Sequence, residues 1–524
     1  MPTKRIDFVK VMYHRNWADA DTLPAIDTLD QRAVNVIYKA VVNEITRARK
    51  IWVCKRPGID TGSGLSAGVA TGAYAALMSN IVGAGGYNTL SLWPSTTAGN
   101  VRIARGLTGI NNNLAVTGHN GSSRITQFFD GAGTYTWVFH VTCANPASNR
   151  RSYFGIDSGV AGDTQISDVD YPNTVVVGNF VYLSGYLFIM TYDLGRIYNS
   201  DLNSLTAWTS TSFLTTSFGG GGCGLAPYQD KIVAFSDYGI EFYENIGNAV
   251  GSPLQRINHL TTTQYGVARN VDAPGVTDTG HFYYAAMDTV FWINNPDTSG
   301  GPGIFMLEGF KPKKISSPEI DFNLSRFLPS VCKIAGIVEI YGYNYLFIST
   351  GGQSTSFGFV YCMNTGLWTT WESSLFDANW PAIVNQRGDT AGLQNETLIF
   401  AGTKIYKLSI ESMLRTDLVF TDNSVAYTTT LQLGDVDFGT KKRKRLNSLR
   451  IVGLDPRAAS TTGISWSDDD GQTYSTARNV DMNDDDPKLT RCGAFRRRSF
   501  RITNAANTSF QAEALECEYD ELNS

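Results

Sequence analysis

The residues of this chain best suited to chemistry are charged groups in turns. Ser467-Asp468-Asp469-Asp470-Gly471-Gln472-Thr473-Tyr474 fits the Asp-box pattern S-x-D-x-G-x-T-W/Y. Ser and Asp side chains in such a turn bond its amides, Gly accepts φ > 0, and the final aromatic packs beneath the hairpin. That chemistry is scaffolding. Asp468, Asp469 and Asp470, and separately Asp484, Asp485 and Asp486, also offer the oxygen ligands that Ca²⁺ takes. Neither run has the D-x-D-x-D-G spacing of a loop site, so solvated turn charges are the simpler reading, and no metal is expected.

Cations concentrate in Lys441-Lys442-Arg443-Lys444-Arg445. One reading is a nuclear signal or DNA patch. A second is a solvated loop between Phe438 and Leu449. A third suits an oligomer: this run, with Arg496-Arg497-Arg498, pairs across a subunit boundary with the acidic turns at 468–470 and 481–486. Such complementary patches fix register and speed assembly more than they add affinity.

Other catalytic signatures are missing. Histidines 14, 119, 140, 259 and 281 form no H-x-x-x-H or H-x-E arrangement. Gly62-Ser63-Gly64 and Gly219–Gly222 lack a strand-to-helix setting, no GK[ST] follows them, and the second reads as a loop tip. A sialidase would show several Asp boxes, an arginine triad and a nucleophilic Tyr, whereas one box is present. The expectation is a chain that is not an enzyme and uses no cofactor.

The elements that must position these residues are strands. At 524 residues, with 17 % charged residues, 12 % aromatic residues and 51 glycines, the composition is that of an all-β protein with many tight turns and two or three domains. A formal net charge of −5 argues against a free-standing nucleic-acid binder. The seven cysteines are scattered without metal-site spacing and read as buried, reduced thiols of a protein folded in a cytosol. The start, Met-Pro-Thr-Lys-Arg-Ile-Asp, has no apolar h-region, and no run of about 18 apolar residues occurs, so neither a signal peptide nor a membrane span is expected.

Helices are plausible only in residues 1–50, around Asp27–Lys39 or Val41–Arg49. Beyond them, apolar strand pairs flank turns centred at 83, 132, 185, 239, 288, 342 and 402. A unit of about 50 residues built from short strands is the signature of propeller blades. The chain is therefore read as an N-terminal arm or strand segment (1–50), a β-propeller of about seven blades (51–409) and a C-terminal β-sandwich-like domain (410–524). The competing architecture is a pair of β-sandwiches with evenly spaced hairpins.

Several stretches carry a family resemblance. Asp30-Gln31-Arg32-Ala33-Val34-Asn35, followed by Trp52-Val53-Cys54-Lys55-Arg56-Pro57-Gly58, forms an N-terminal pattern. Gly195-Arg196-Ile197-Tyr198-Asn199-Ser200 with Ala207-Trp208, Gly239-Ile240-Glu241-Phe242-Tyr243 and Ser252-Pro253-Leu254-Gln255-Arg256-Ile257 lie in mid-chain. Trp466–Gly471 and Arg491-Cys492-Gly493-Ala494-Phe495-Arg496-Arg497-Arg498 lie near the end. Together these resemble the tail hub or nozzle proteins of short-tailed bacteriophages, often labelled packaged-DNA stabilisation proteins.

The resemblance implies a virion protein, folded in the bacterial host cytoplasm, that forms a homohexameric ring below the portal–adaptor. Such a ring closes the head, carries tail fibres or a needle, and passes double-stranded DNA during ejection. It implies no catalytic residues. A glycan-binding or glycan-hydrolysing propeller is the alternative from another class, suited by the aromatic content and the Asp box. A receptor-binding fibre is a third, and the fibrous repeat it would need is absent.

Overall fold

The computed structural model describes residues 2–8, 32–42, 49–60, 76–83, 86–94, 100–105, 110–115, 119–129, 135–143, 152–156, 164–172, 176–218, 221–248, 250–268, 283–286, 288–326, 333–349, 357–373, 382–386, 396–401, 404–410, 419–456 and 458–522. Their regular structure is nearly all β, arranged as a β-propeller and a β-sandwich.

Each blade is an antiparallel meander of short strands joined by tight turns. Blade one comprises Ala76–Gly83, Gly86–Pro94, Asn100–Arg105 and Ile110–Ala115. Blade two comprises His119–Phe129, Tyr135–Cys143, Ser152–Ile156 and Thr164–Gln165. Blade three runs over Val176–Leu183, Tyr186–Thr191, Arg196–Ser200 and Trp208–Thr215. Blade four runs over Gly222–Tyr228, Lys231–Ser236, Ile240–Asn245 and Leu254–Arg256.

Tyr283–Ala286, Thr289–Asn294, Gly303–Glu308 and Lys311–Lys314 form blade five. Lys333–Ile340, Tyr343–Ser349, Phe357–Cys362 and Leu367–Glu372 form blade six. Among the described residues blade seven takes three strands from its own stretch, Ala382–Gln386, Glu396–Ala401 and Lys404–Leu408. Its fourth is Ile59–Asp60, which pairs antiparallel with Lys407 and Leu408. The first strands of successive blades pack side by side, and that of blade seven returns to that of blade one. Closing the ring with the opposite end of the chain leaves only the short outer edges of the blades exposed.

Burial along the strands follows from this stacking. Second strands lie between neighbouring blades, so Thr289–Asn294 is buried throughout and Lys231–Ser236 nearly so. The outermost strand Leu367–Glu372 instead alternates buried and half-buried residues. At Gly178 (φ 69°) the first strand of blade three bulges, and a Cβ there would run into Gly224 of blade four and the Tyr283 hydroxyl of blade five. Three blades meet at this point, and the missing side chain lets them close.

The turns at 184–185 and 341–342 join first and second strands, Gly83 ends a first strand and Asp288 precedes a second one, while Gly239 lies between a second and a third strand; the centres read at 132 and 402 lie outside the described residues. The even spacing located the blades while marking different hairpins within them.

The sandwich draws on both chain ends. Val36–Val42, Arg49–Lys55, Gln511–Glu521, Lys444–Gly453 and Lys488–Thr490 lie in that order in one sheet, with Thr3–Asp7 added along Gln511–Glu521. The facing sheet holds Arg32–Val34, Thr429–Gln432, Ser499–Asn504, Thr461–Ser467 and Arg478–Asp481. Arg32–Val34, Val36–Val42 and Arg49–Lys55 are therefore sandwich strands, and the boundaries read at 50 and 409 separate strands that pair. Val34 also pairs in parallel with Thr370, so this sheet runs on into blade six. One core accordingly joins Val36, Leu431, Phe500 and Leu515 to Phe347, Trp371 and Ile399.

The helical expectations near the N-terminus are corrected. Arg32–Val34 and Val36–Val42 are strands, Arg49 begins another, and 9–31 and 43–48 lie outside the described residues. Cross-strand partners outweigh local helix propensity there. The α-helix among the described residues is Pro318–Arg326. It starts by local rules: Ser317 Oγ accepts from Ile320 N at 3.4 Å, Pro318 opens the first turn, and Glu319 and Asp321 sit at its positive end. Ile320 and Leu324, four residues apart, bury one face.

Candidate functional site

The densest polar network joins propeller to sandwich. Asn35 takes a left-handed conformation (φ 57°) between two strands, a backbone state Asn tolerates well. Its amide donates to Thr370 O at 2.7 Å and its Nδ2 to Thr428 O at 2.9 Å. Its Oδ1 accepts from Glu372 N at 2.8 Å and Arg56 Nε at 2.9 Å.

Arg56 is wholly buried and uses every guanidinium nitrogen. Nη1 donates to Asp422 Oδ1 at 2.9 Å and Pro57 O at 3.0 Å, and Nη2 to Asp422 Oδ2 at 2.5 Å and Glu372 O at 3.1 Å. The Tyr427 ring lies 3.8 Å from the guanidinium carbon, and the Tyr427 hydroxyl donates to Arg56 O. Burial opposes the charge on Arg56, yet Asp422 holds its pKa above the ordinary arginine value. Next to it, Lys55 donates to Ala506 O at 2.6 Å and Asn504 Oδ1 at 3.2 Å. Burial, and then the charge of Arg56, lower the Lys55 pKa to about 8. With every arm of Arg56 bound internally, this network is a lock between domains.

The Asp box folds as its residue types dictate. Ser467 Oγ donates to Asp469 Oδ1 at 2.5 Å and accepts from Gly471 N at 2.9 Å. Asp469 accepts from Thr473 N at 2.9 Å and from the Thr473 hydroxyl, and the Ser467 hydroxyl foremost holds its carboxyl down at about 2. Tyr474 lies against the Arg501 guanidinium at 3.6 Å.

The charged runs are partly spent within the chain. Arg498, buried, holds Asp468 through Nε at 2.7 Å and Nη2 at 2.8 Å. Arg497 pairs with Asp470 and, at 3.0 Å, with Asp435. Asp486 pairs with Lys488 at 2.5 Å and Arg450 at 3.3 Å. Lys442 reaches Glu521 at 3.1 Å. Lys444 is buried, its ammonium donating to Thr440 O at 2.6 Å and Asp437 O at 2.8 Å, because every second residue of that strand faces inward. Thus Arg497, Arg498, Asp468, Asp470 and Lys444, all expected at a subunit boundary, are bonded within the chain. Lys441, Arg443, Arg445, Arg496, Asp484 and Asp485 remain exposed.

Sequence reasoning missed a buried carboxylate. Glu241, in blade four, accepts from Ser217 N at 2.9 Å and from the Ser217 and Tyr243 hydroxyls, and pairs with Arg256 at 3.3 Å. Burial, then the charge of Glu241, raises the Tyr243 phenol well above its ordinary range. The signal lay in Glu241 and Tyr243, two residues apart on one strand face.

The seven first strands lining the ring carry a single carboxylate, the exposed Glu339. A carboxylate pair of the kind glycosidases use would have to come from the connecting loops. Among the described residues no group of His, Cys, Asp and Glu could hold a metal ion, and no helix is long and apolar enough to cross a membrane. Gly222 of the expected loop tip begins the first strand of blade four, while 219–220 lie outside the described residues.

No protein-family model and no curated protein matches the chain. Among solved structures, it is similar to an exo-β-1,3-galactanase from Phanerochaete chrysosporium, with 8 % identity over 88 % of this chain and 99 % of that one and a TM-score of 0.30. It is also similar to a β-fructofuranosidase from Schwanniomyces occidentalis, with 9 % identity, the same coverages and a TM-score of 0.25. A putative exported protein from Bacteroides fragilis matches 55 % of this chain and 90 % of its own at 9 % identity, with a TM-score of 0.31. The expectation that the chain is not an enzyme is corrected by these matches, two of which are glycoside hydrolases, and it is withdrawn. Likeness at this level assigns no substrate and no catalytic residue.

Proposed function

We propose that this chain is a subunit of a short-tailed bacteriophage tail, a hub or nozzle assembling as a homohexameric ring below the portal–adaptor. There it closes the head, retains packaged DNA and forms the ejection channel, with tail fibre or needle proteins attached outside. It folds in the host cytoplasm and works in the virion. The observation that carries this reading is the placement of residues 32–42 and 49–60, which supply sandwich strands, the buried Arg56 lock and the strand that closes the propeller. Domains joined by a continuous sheet and core move as one block, in contrast to the small polar interfaces that let domains move. A ring that must withstand packed DNA calls for such blocks. The family comes from the sequence resemblance.

A second reading, a glycan-binding or glycan-hydrolysing propeller, is favoured by the folded Asp box at 467–474. One preparation tests both. Negative-stain images of the full chain, alone and mixed with a portal–adaptor complex, are expected to show rings or a docked nozzle. A monomer that never docks, and that retains or cleaves oligosaccharides on a glycan panel, would replace the first reading with the second.

A further inference from the structure

The exposed charges left over on the sandwich are sorted to opposite ends of one strand. Lys444 and Phe495 are register partners with both side chains buried, so Arg443, Arg445 and Arg496 around them are the outward-facing residues. Arg443 and Arg496 each adjoin that pair in sequence, so the pairing brings together two cation runs about 50 residues apart. Lys441 extends the patch. Of the neighbouring carboxylates, Glu521 pairs with Lys442, Asp468 and Asp470 pair with Arg498 and Arg497, and Asp520, the register partner of Arg445, accepts from Asn447. Among the described residues none pairs with these four cations. Like charges gathered on one surface repel, so the patch is suited to an external anion.

At the far end of the same strand the sign reverses. Arg450 pairs in register with Lys488, and Ile451 N donates to Pro487 O at 3.2 Å, which anchors the 481–487 turn there. Asp486 is spent on Arg450 and Lys488, while Asp484 and Asp485 point no charge at a cation among the described residues. Six steps along the strand, roughly 20 Å, separate Ile451 from Arg445, so the two ends cannot neutralise each other within one copy.

We infer that this strand carries a head-to-tail interface with a second copy of the chain: Lys441, Arg443, Arg445 and Arg496 of one copy face Asp484 and Asp485 of the next. The inference rests on the ring-forming reading and names its contact. A heterologous contact of this type closes into a ring when the rotation allows. A nucleic-acid backbone would satisfy the cations alone and leave the acidic end without a role, whereas the head-to-tail contact uses both ends.

Charge reversal tests it on the full chain. One variant carries Arg443→Glu with Arg496→Glu, the other Asp484→Lys with Asp485→Lys. Each is expected to weaken self-association at least about tenfold in low salt, read by analytical ultracentrifugation. Mixing them is expected to restore assembly, because alternating copies then face opposite charges at every contact. Variants that assemble like the parent would overturn the inference and leave the ring reading standing on another interface. A parent that stays monomeric would also overturn it, and docking on the portal–adaptor then decides the ring reading separately. Loss of duplex-DNA binding in the Arg variant, with no effect of the Asp variant and no rescue on mixing, would assign the patch to nucleic acid instead.

Discussion

Arg56 and Asp422, 366 residues apart in sequence, meet in a two-pronged ion pair at 2.9 and 2.5 Å with both side chains out of solvent. Arg56 follows the last residue of a sandwich strand, and Asp422 pairs in parallel with Ile59, the residue that closes the propeller. The pair therefore ties the closure of one domain to the other.

Removing one partner of a buried pair leaves an uncompensated charge. Arg56→Met is expected to strand Asp422 and lower stability by about 3 to 5 kcal/mol. Arg56→Lys should recover only part of this, since a lysine cannot bridge Asp422, Asn35 and Glu372 O together. Urea denaturation of the three proteins checks the order.

Gly58 makes room for a close backbone crossing. A Cβ there would collide with the carbonyl oxygens of Thr421 and Val419. Gly58→Ala is expected to cost about 1 to 3 kcal/mol through overpacking. Hydrogen exchange should rise first along Lys404–Leu408, the strand that Ile59–Asp60 covers; unchanged exchange there would refute the closing role.

Lys55 gives a pH signature. Its folded pKa is lowered to about 8, so between there and the ordinary lysine value near 10.5 the unfolded chain holds a proton that the folded chain has released. Unfolded protein then binds more protons, and stability rises with pH across that window. Lys55→Met is expected to remove this rise. Melting temperatures of the two proteins, measured from about pH 7.5 to about pH 10, give the difference.

The described thiols should be inert. Cys54, Cys223, Cys362, Cys492 and Cys517 are free and buried, and burial pushes Cys54 up to about 12. Because the thiolate is the reactive form, iodoacetamide at about pH 8 is expected to label these five only after denaturation. Labelling of Cys54 in the native protein would show that the junction opens.

Local patterns were enough for the all-β class, the blade rhythm and the Asp box, because each depends on residues a few positions apart. Ser184-Gly185 turns a hairpin, and Ser467 bonds Asp469 and Gly471, whatever lies elsewhere. Long-range partners were beyond such reading. Residues 36–42 become a strand only beside 49–55, and Arg498 turns inward only because Asp468 meets it across adjacent strands. The motif Lys55-Arg56-Pro57-Gly58 stood out in sequence, but the carboxylate that neutralises Arg56 comes from the other end of the chain. Turn and strand chemistry is written in neighbouring residues, while which strands pair, and which charges are spent within the chain, follows from the tertiary closure of the propeller and sandwich.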